Sequence, residues 1–304
     1  LDAYDEPFAD SSQLPTFLIS KYIKKNVSVA LSGDGGDEIF GGYNRYVWAS
    51  KFNSFNKKTP LFLRKFLTLT FKYLSNKNIE NLQLLLPEKF KINQLSNKLF
   101  KISNLFEKTN IESIYDYLIS QISDPQQNLS FLKDELVHEK FTNFDNELDY
   151  ISNMQKIDFA TYLPDDILTK VDRASMANSL EVRVPFLNHS VVDFMETMPI
   201  EFKIKKNKSK IMLREILSEY IPSNIINRPK KGFAIPLQKW LRSSFKEPIL
   251  DTLSAQNLKN KGIFNTNNIL TKLENFYLKN NNNLHNEIWT LFILTNWLDK
   301  NNNA

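Results

Sequence analysis

The sequence predicts an α/β protein that is largely helical, and three observations carry that reading. Val27-Ser28-Val29-Ala30-Leu31 is apolar and β-branched, the pattern of a short buried strand. Five of the chain's seven glycines follow at once, within residues 33 to 42, interleaved with Asp34, Asp37 and Glu38. Apolar side chains fall at helical spacing on both sides of that block, and from Pro60 to Phe144 no turn-dense β pattern interrupts them.

Taken in order, residues 11 to 25 predict a helix with Leu14, Phe17, Leu18 and Tyr22 on one face and Pro15 in its first turn, where proline is tolerated. The strand at 27–32 comes next, then the glycine–acid loop, then a helix from about Asp37 to about Ser50. Residues 55 to 150 read as a helical insertion without chemistry of its own. Its aromatic-rich stretch, Phe52 to Tyr73, is expected to pack in a core, with a membrane-surface helix as the lesser reading. Farther on, Pro164-Asp165-Asp166 is expected to break one helix and start another with an acid in the cap position. Lys170, Asp172 and Arg173 lie on that second helix, with Glu181 and Arg183 beyond it on either side of Val182. A polar loop at 280–283 precedes a closing helix over about 284–298, with Ile288, Leu291, Phe292, Thr295 and Leu298 on one face. No internal repeat is visible.

The 304 residues suffice for a sizeable core. A net charge of +5, scattered along the chain, gives no basic face for a nucleic acid. No apolar run approaches the roughly 20 residues that span a bilayer, so no membrane partner is expected. The absence of cysteine excludes disulfides, zinc–thiolate sites and a cysteine nucleophile within the chain, and fits the cytoplasm. The chain opens on Leu1 rather than methionine, and its most distinctive text follows immediately. A fragment of a longer protein is therefore expected.

Glycine lets a backbone approach a ligand closely and permits φ > 0. A strand that runs into such a loop and then a helix is how α/β proteins build sites at the carboxyl ends of strands. Three acids beside the loop would repel a bare phosphate, so the expected guest is a phosphate carrying a divalent cation. The plainer alternative is a surface turn with Asp34 or Asp37 capping a helix. Lys210, just before Ile211-Met212-Leu213-Arg214, is either a solvated charge or a flexible cation aimed at developing negative charge. The charges at Asp172, Arg173, Glu181 and Arg183 read equally as surface ion pairs.

Ser32-Gly-Asp-Gly-Gly-Asp-Glu-Ile-Phe-Gly-Gly-Tyr43, preceded by Asp5-Glu-Pro-Phe-Ala-Asp-Ser-Ser12, resembles the synthetase domain of the glutamine-dependent asparagine synthetase family. So do Lys170-Val-Asp-Arg-Ala-Ser-Met with Glu181-Val-Arg-Val-Pro-Phe-Leu187, and Lys208-Ser-Lys-Ile-Met-Leu-Arg214 with Arg228-Pro-Lys-Lys-Gly-Phe233. The resemblance covers nearly the whole chain, so residues 1–304 are expected to form the C-terminal part of that domain. It implies part of an adenine-nucleotide α-hydrolase-like parallel sheet flanked by many helices. It also implies ATP and Mg²⁺ as cofactors, aspartate and ammonia as substrates, and an acyl-adenylate of the aspartate side chain on the route to asparagine. By position, Ser32, Gly33 and Gly35 would contact the nucleotide, and Asp34, Lys210 and Asp172 would be catalytic. Asp37 would hold Mg²⁺ bound to pyrophosphate. Arg228, Lys231 and Gly232 match a segment that either serves an anionic substrate or shapes a loop.

The family's pyrophosphate loop, Ser-Gly-Gly-x-Asp-Ser, does not occur in these 304 residues, and neither does the cysteine of its N-terminal glutaminase domain. That domain is thus an expected partner, and the isolated chain is expected to be inactive. Alternatives are an amidotransferase acting on another carboxylate, such as a polysaccharide uronic acid, or a non-catalytic fragment. A homodimer is left open. Two structural expectations follow. Ser32, Gly33 and Asp37 should share a cleft with Asp172 and Lys210, and strand 27–32 should leave apolar surface near Phe17, Leu18 and Val29.

Overall fold

A computed structural model of the chain describes residues 3–76, 95–122, 125–130, 144–205, 208–228, 233 and 235–301. In chain order its elements begin with α1 (Gln13–Ile23), β1 (Val29–Leu31), α2 (Gly36–Ile39), α3 (Asn44–Lys58) and α4 (Leu61–Asn76). Next come α5 (Leu95–Glu107), α6 (Ile111–Ile119), α7 (Tyr150–Ala160), α8 (Thr169–Met176) and β2 (Glu181–Arg183). The series continues with α9 (His189–Glu196), α10 (Ile200–Lys203), β3 (Ile204–Lys205), β4 (Lys208–Ser209) and α11 (Ile211–Ser218). After the single turn α12 (Ser223–Ile226) come α13 (Leu237–Arg242), α14 (Lys246–Thr252), α15 (Ala255–Lys261), α16 (Thr266–Tyr277) and α17 (His285–Asn301). The fold is α/β and mostly helical, with a small parallel sheet, as the sequence predicts.

The chain divides into two compact units, one of residues 1–50 with 140–235, the other of residues 51–139 with 236–304. In the first unit β1 and β2 pair in parallel, Val29 opposite Glu181 and Leu31 opposite Arg183. Ser32 N–H donates to the Arg183 carbonyl (2.9 Å), carrying the ladder one residue past β1. Parallel pairing matters because it delivers the segments after both strands, Ser32–Gly36 and Val184–Leu187, to the same end of the sheet.

Several local readings need correction. The strand is not buried, and the apolar surface expected beside it is present: Val29 is 42% and Leu31 73% exposed, because nothing among the described residues covers that face. Leu18 (64%) lies at the surface too, whereas Phe17 is half-buried. On α1 the inward face is Gln13, Thr16 and Ser20 rather than the larger apolar residues. α1 packs on α8, where Ala174 and Ser175 are buried; small side chains allow the two helices a close approach, and the hydroxyls of Thr16 and Ser20 bond back to carbonyls of their own turn.

The helix expected from Asp37 to Ser50 is two helices. Gly41, at φ +66°, breaks it between α2 and α3, because its missing Cβ leaves room for Ile204 at 2.8 Å. Pro164 sits not at a break but near the start of a π-helical segment, Leu163–Leu168, that runs directly into α8. Asp149 caps α7, accepting from the N–H groups of Ile151 and Ser152. Around α2, Ile39, Phe40 and Met195 form a core with Phe186, Leu187, Val192 and Met212.

In the second unit α4 packs on α5, and Asn56 Nδ2 donates to the carbonyls of Leu105 (2.8 Å) and Lys108 (3.0 Å). The aromatic-rich stretch divides. Phe52, Phe55 and Phe71 gather round Phe106, whereas Phe62, Phe66, Leu69 and Tyr73 are exposed among the described residues. Asn110 and Ser113 form a capping box for α6. α17 buries Ile288, Leu291, Phe292 and Thr295, four of the five positions read from the sequence. Among the described residues no helix is long and apolar enough to cross a membrane.

Candidate functional site

The loop after β1 is shaped by the segment after β2. Gly35 has φ +79°, and a Cβ there would lie 2.4 Å from Leu187 Cδ2; one on Gly36 would meet the Phe186 ring at 3.1 Å. These glycines therefore admit a protein side chain, a use of glycine that the sequence reading did not assign. Gly33, whose Cβ would meet nothing nearer than 3.9 Å, is unconstrained in this way.

At the start of the loop Ser32 and Asp34 close on each other. Ser32 Oγ donates to Asp34 Oδ2 (2.5 Å), and Asp34 N–H donates to Ser32 Oγ (3.2 Å). One turn later Asp37 pairs with Lys210, Oδ1 to Nζ at 3.0 Å, with side chains 24% and 30% exposed. Lys210 reaches this point from a hairpin, β3 with β4, and caps α11 with φ +56° and ψ +42°. A left-handed backbone costs a non-glycine residue about 1–2 kcal/mol, and strain of this kind persists where the surroundings dictate it. Arg214 is one such brace, donating from Nε to the Ser209 carbonyl (2.8 Å) and from Nη1 to that of Ile226 (2.9 Å). Gly42 is another. A Cβ there would lie 1.8 Å from Asp37 Oδ1 and 2.3 Å from Lys210 Cε, so the pair occupies the space the glycine leaves.

The structure thus brings Ser32 together with Asp34 on the loop after β1, whose bend Gly35 holds, and Asp37 of α2 together with Lys210 from the β3–β4 hairpin. Asp172 makes no ion pair or hydrogen bond with them. It lies exposed on α8 and its carboxylate pairs with Arg173, which also meets Asp5 (3.0 Å). Glu181 and Arg183 pair with each other (2.7 Å) at the surface. Arg228 is exposed, and Lys231 and Gly232 lie outside the described residues.

Two networks near the loop gave no signal in the sequence. Asp158 is fully buried and accepts from Arg45 Nη2 (2.7 Å), Arg45 Nε (3.1 Å) and Tyr46 Oη (2.6 Å). The Arg45 guanidinium also lies over the rings of Tyr43 (3.9 Å) and Tyr162 (4.5 Å), a cation–π arrangement. Tyr43 Oη in turn donates to Glu38 (2.7 Å), whose carboxyl burial pushes up; burial likewise raises the Tyr43 and Tyr162 hydroxyls. In the second network Lys170 Nζ meets Asp10 Oδ2 (2.6 Å) and Asp166 Oδ1 (3.4 Å). Burial and the Asp10 charge push Asp166 up to about 7; Asp10, also raised by burial alone, is held below its usual range by Lys170. The two carboxyls share Lys170 and titrate as a pair, Asp166 pushed up and Asp10 held down. These residues come from segments 112 or more positions apart in sequence, beyond the reach of any local pattern.

Among the described residues no group of three or more His, Cys, Asp or Glu forms a metal cage. Mg²⁺ seldom needs one, since it is commonly held by one or two carboxylates together with substrate phosphates. A partly exposed Asp37 carboxylate on an exchangeable ion pair fits that mode.

The Asparagine synthase family profile matches residues 1–299. Asparagine synthetase [glutamine-hydrolyzing] 1 of Bacillus subtilis is 32% identical over 294 residues, 97% of this chain and 44% of the relative. A putative asparagine synthetase [glutamine-hydrolyzing] of Mycobacterium bovis is 32% identical over 79% of this chain and 34% of its own length. The human asparagine synthetase [glutamine-hydrolyzing] aligns over 33% of the chain at 36% identity. The chain thus spans less than half the length of these relatives. With the profile running through all three motif blocks and on to residue 299, the chain belongs to the asparagine synthase family.

Proposed function

We propose that this chain is the nucleotide-handling part of an enzyme that amidates a side-chain carboxylate using ATP, with aspartate as acceptor and asparagine as product. In this reading the carboxylate is activated as an acyl-adenylate, pyrophosphate leaves, and ammonia displaces AMP. The ammonia comes from glutamine hydrolysed by an N-terminal domain outside these residues. The observation that carries the reading is the Asp37–Lys210 pair beside the loop that follows a parallel strand. The printed names of the relatives support the aspartate acceptor and the glutamine donor.

The pair suits a ligand that offers both charges. Asp37 would hold a cation carried by the polyphosphate, and the Lys210 ammonium, no longer paired with it, would face phosphate oxygens. Mg²⁺, when bound, would screen polyphosphate charge, with Asp37 as its protein ligand. Lys210 is positioned for this by its braced left-handed backbone, so little reorganisation is needed as charge develops. Ser32, Gly33 and Gly35 line the nucleotide side of the loop. Asp34, oriented by the Ser32 hydroxyl, faces the reacting carboxyl, and Asp172 serves the adenylate from α8.

The test uses the proposed full-length enzyme with ATP, Mg²⁺ and ammonia, and reads pyrophosphate and amide product. Turnover with aspartate is expected. Turnover with a uronic acid but none with aspartate would reassign the acceptor, and no pyrophosphate with either would remove the enzymatic reading.

A further inference from the structure

The first unit contains a cavity of about 450 Å³ that the reading above does not use. Its walls include Ile39 of α2, Phe159 of α7, and Val192 and Met195 of α9, with Gln155 and Lys203 as polar groups. Lys203 is only 7% exposed and makes no ion pair or hydrogen bond to any described residue. Asp149 and Glu196 act on it only across distance, and burial pulls its ammonium below the usual lysine range. Gln155, also 7% exposed, donates from Nε2 to the carbonyls of Glu38 and Ile39, yet its buried Oε1 has no partner.

A buried acceptor without a partner costs about 1–3 kcal/mol, and a buried charge costs more. Water can satisfy the amide oxygen, but it leaves the ammonium without a counter-charge. Lys203 is the buried cation of the lining; the other lysine there, Lys156, is exposed and pairs with Asp145 (3.9 Å), and with Glu38 and Glu196 also in the wall the site suits one negative charge rather than a phosphate dianion. The apolar walls call for a hydrocarbon body, and Gln155 Oε1 calls for a donor beside the anion.

We propose that this cavity binds a small aliphatic monocarboxylate bearing a hydroxyl or amino group next to the carboxylate, which pairs with Lys203 while the donor meets Gln155. A ligand there rests against α2, the same single turn that carries Asp37. The proposal stands whether or not the chain proves to belong to an amidating enzyme.

Methionine-methyl NMR of the chain tests it directly, because only five methionines are present, Met195 lines the cavity, and Met176 is exposed as a reference. The probes are 2-hydroxy-4-methylpentanoate and, as its charge opposite, 3-methylbutylamine. The acid should shift the Met195 resonance saturably with a dissociation constant of about 1–10 mM, leave Met176 unmoved, and outbind the amine. Lys203→Met keeps the stem volume and should weaken the acid about tenfold or more. No saturable shift with the wild-type chain, equal binding of the amine, or undiminished binding to a folded Lys203→Met variant would each overturn the proposal.

Discussion

Three glycines of the 33–42 block should respond very differently to alanine. At Gly35 the new Cβ meets two obstacles, a left-handed backbone at φ +79° and Leu187 Cδ2 at 2.4 Å with Cγ at 2.9 Å. The backbone strain costs about 1–2 kcal/mol. Overpacking adds about 1–3 kcal/mol, and the stiffer unfolded chain returns about 0.4–1 kcal/mol. Gly35→Ala should therefore destabilise by about 2–4 kcal/mol. At Gly42 the clashing atoms are ends of side chains, Asp37 Oδ1 at 1.8 Å and Lys210 Cε at 2.3 Å, and these can swing away. Two displaced rotamers and a lost, partly exposed ion pair, less the unfolded-chain gain, leave about 1–2 kcal/mol. Gly33→Ala makes only an ordinary contact at 3.9 Å with Phe186, and should be neutral or stabilising by up to about 1 kcal/mol. Urea denaturation of the three variants reads the series as ordered midpoints, Gly33→Ala highest and Gly35→Ala lowest. Equal midpoints for Gly33→Ala and Gly35→Ala would refute the claim that the segment after β2 dictates the glycines.

Asp158→Ala should cost about 3–5 kcal/mol, because it strands the largely buried Arg45 guanidinium; thermal denaturation beside Tyr46→Phe, which removes one hydrogen bond for about 1.5–3 kcal/mol, checks the order. Asp166 holds its proton up to about pH 7 in the folded state but only to about 4 when unfolded. Its contribution to stability is therefore complete below about pH 4 and is lost as pH rises through about 7. Asp166→Asn should flatten that part of the melting-temperature profile and melt higher than wild type at pH 8. An unchanged slope between pH 4 and 7 would contradict the raised Asp166 carboxyl.

How far the sequence could be read depended on distance along the chain. The closing helix and the place of the strand before the glycine loop were legible because hydrophobic period is local, whereas Pro164-Asp165-Asp166, read as a break and a new cap, lies inside a continuous π-helical segment. The break between α2 and α3 was not, since Gly41 is dictated by Ile204, more than 160 positions away. The polar inward face of α1 was misread for a related reason: Thr16 and Ser20 are selected by the nearness of α8, which no periodicity on α1 reports. At the site, motif order located Asp37 and Lys210, which the fold joins at 3.0 Å. The surface ion-pair reading of Asp172 with Arg173 and of Glu181 with Arg183 was met as well, but nothing in the sequence showed that Gly42 makes room for the Asp37–Lys210 pair.

The central claim is that Asp37 and Lys210 together hold the polyphosphate in the adenylating reaction. It is tested by measuring pyrophosphate release and glutamine hydrolysis side by side in the proposed full-length enzyme, wild type, Asp37→Asn and Lys210→Ala. Both variants should lose pyrophosphate release by about 10²-fold or more while glutamine hydrolysis continues, with Lys210→Ala lowering turnover more than ATP affinity. Pyrophosphate release within about twofold of wild type in either folded variant would contradict the account.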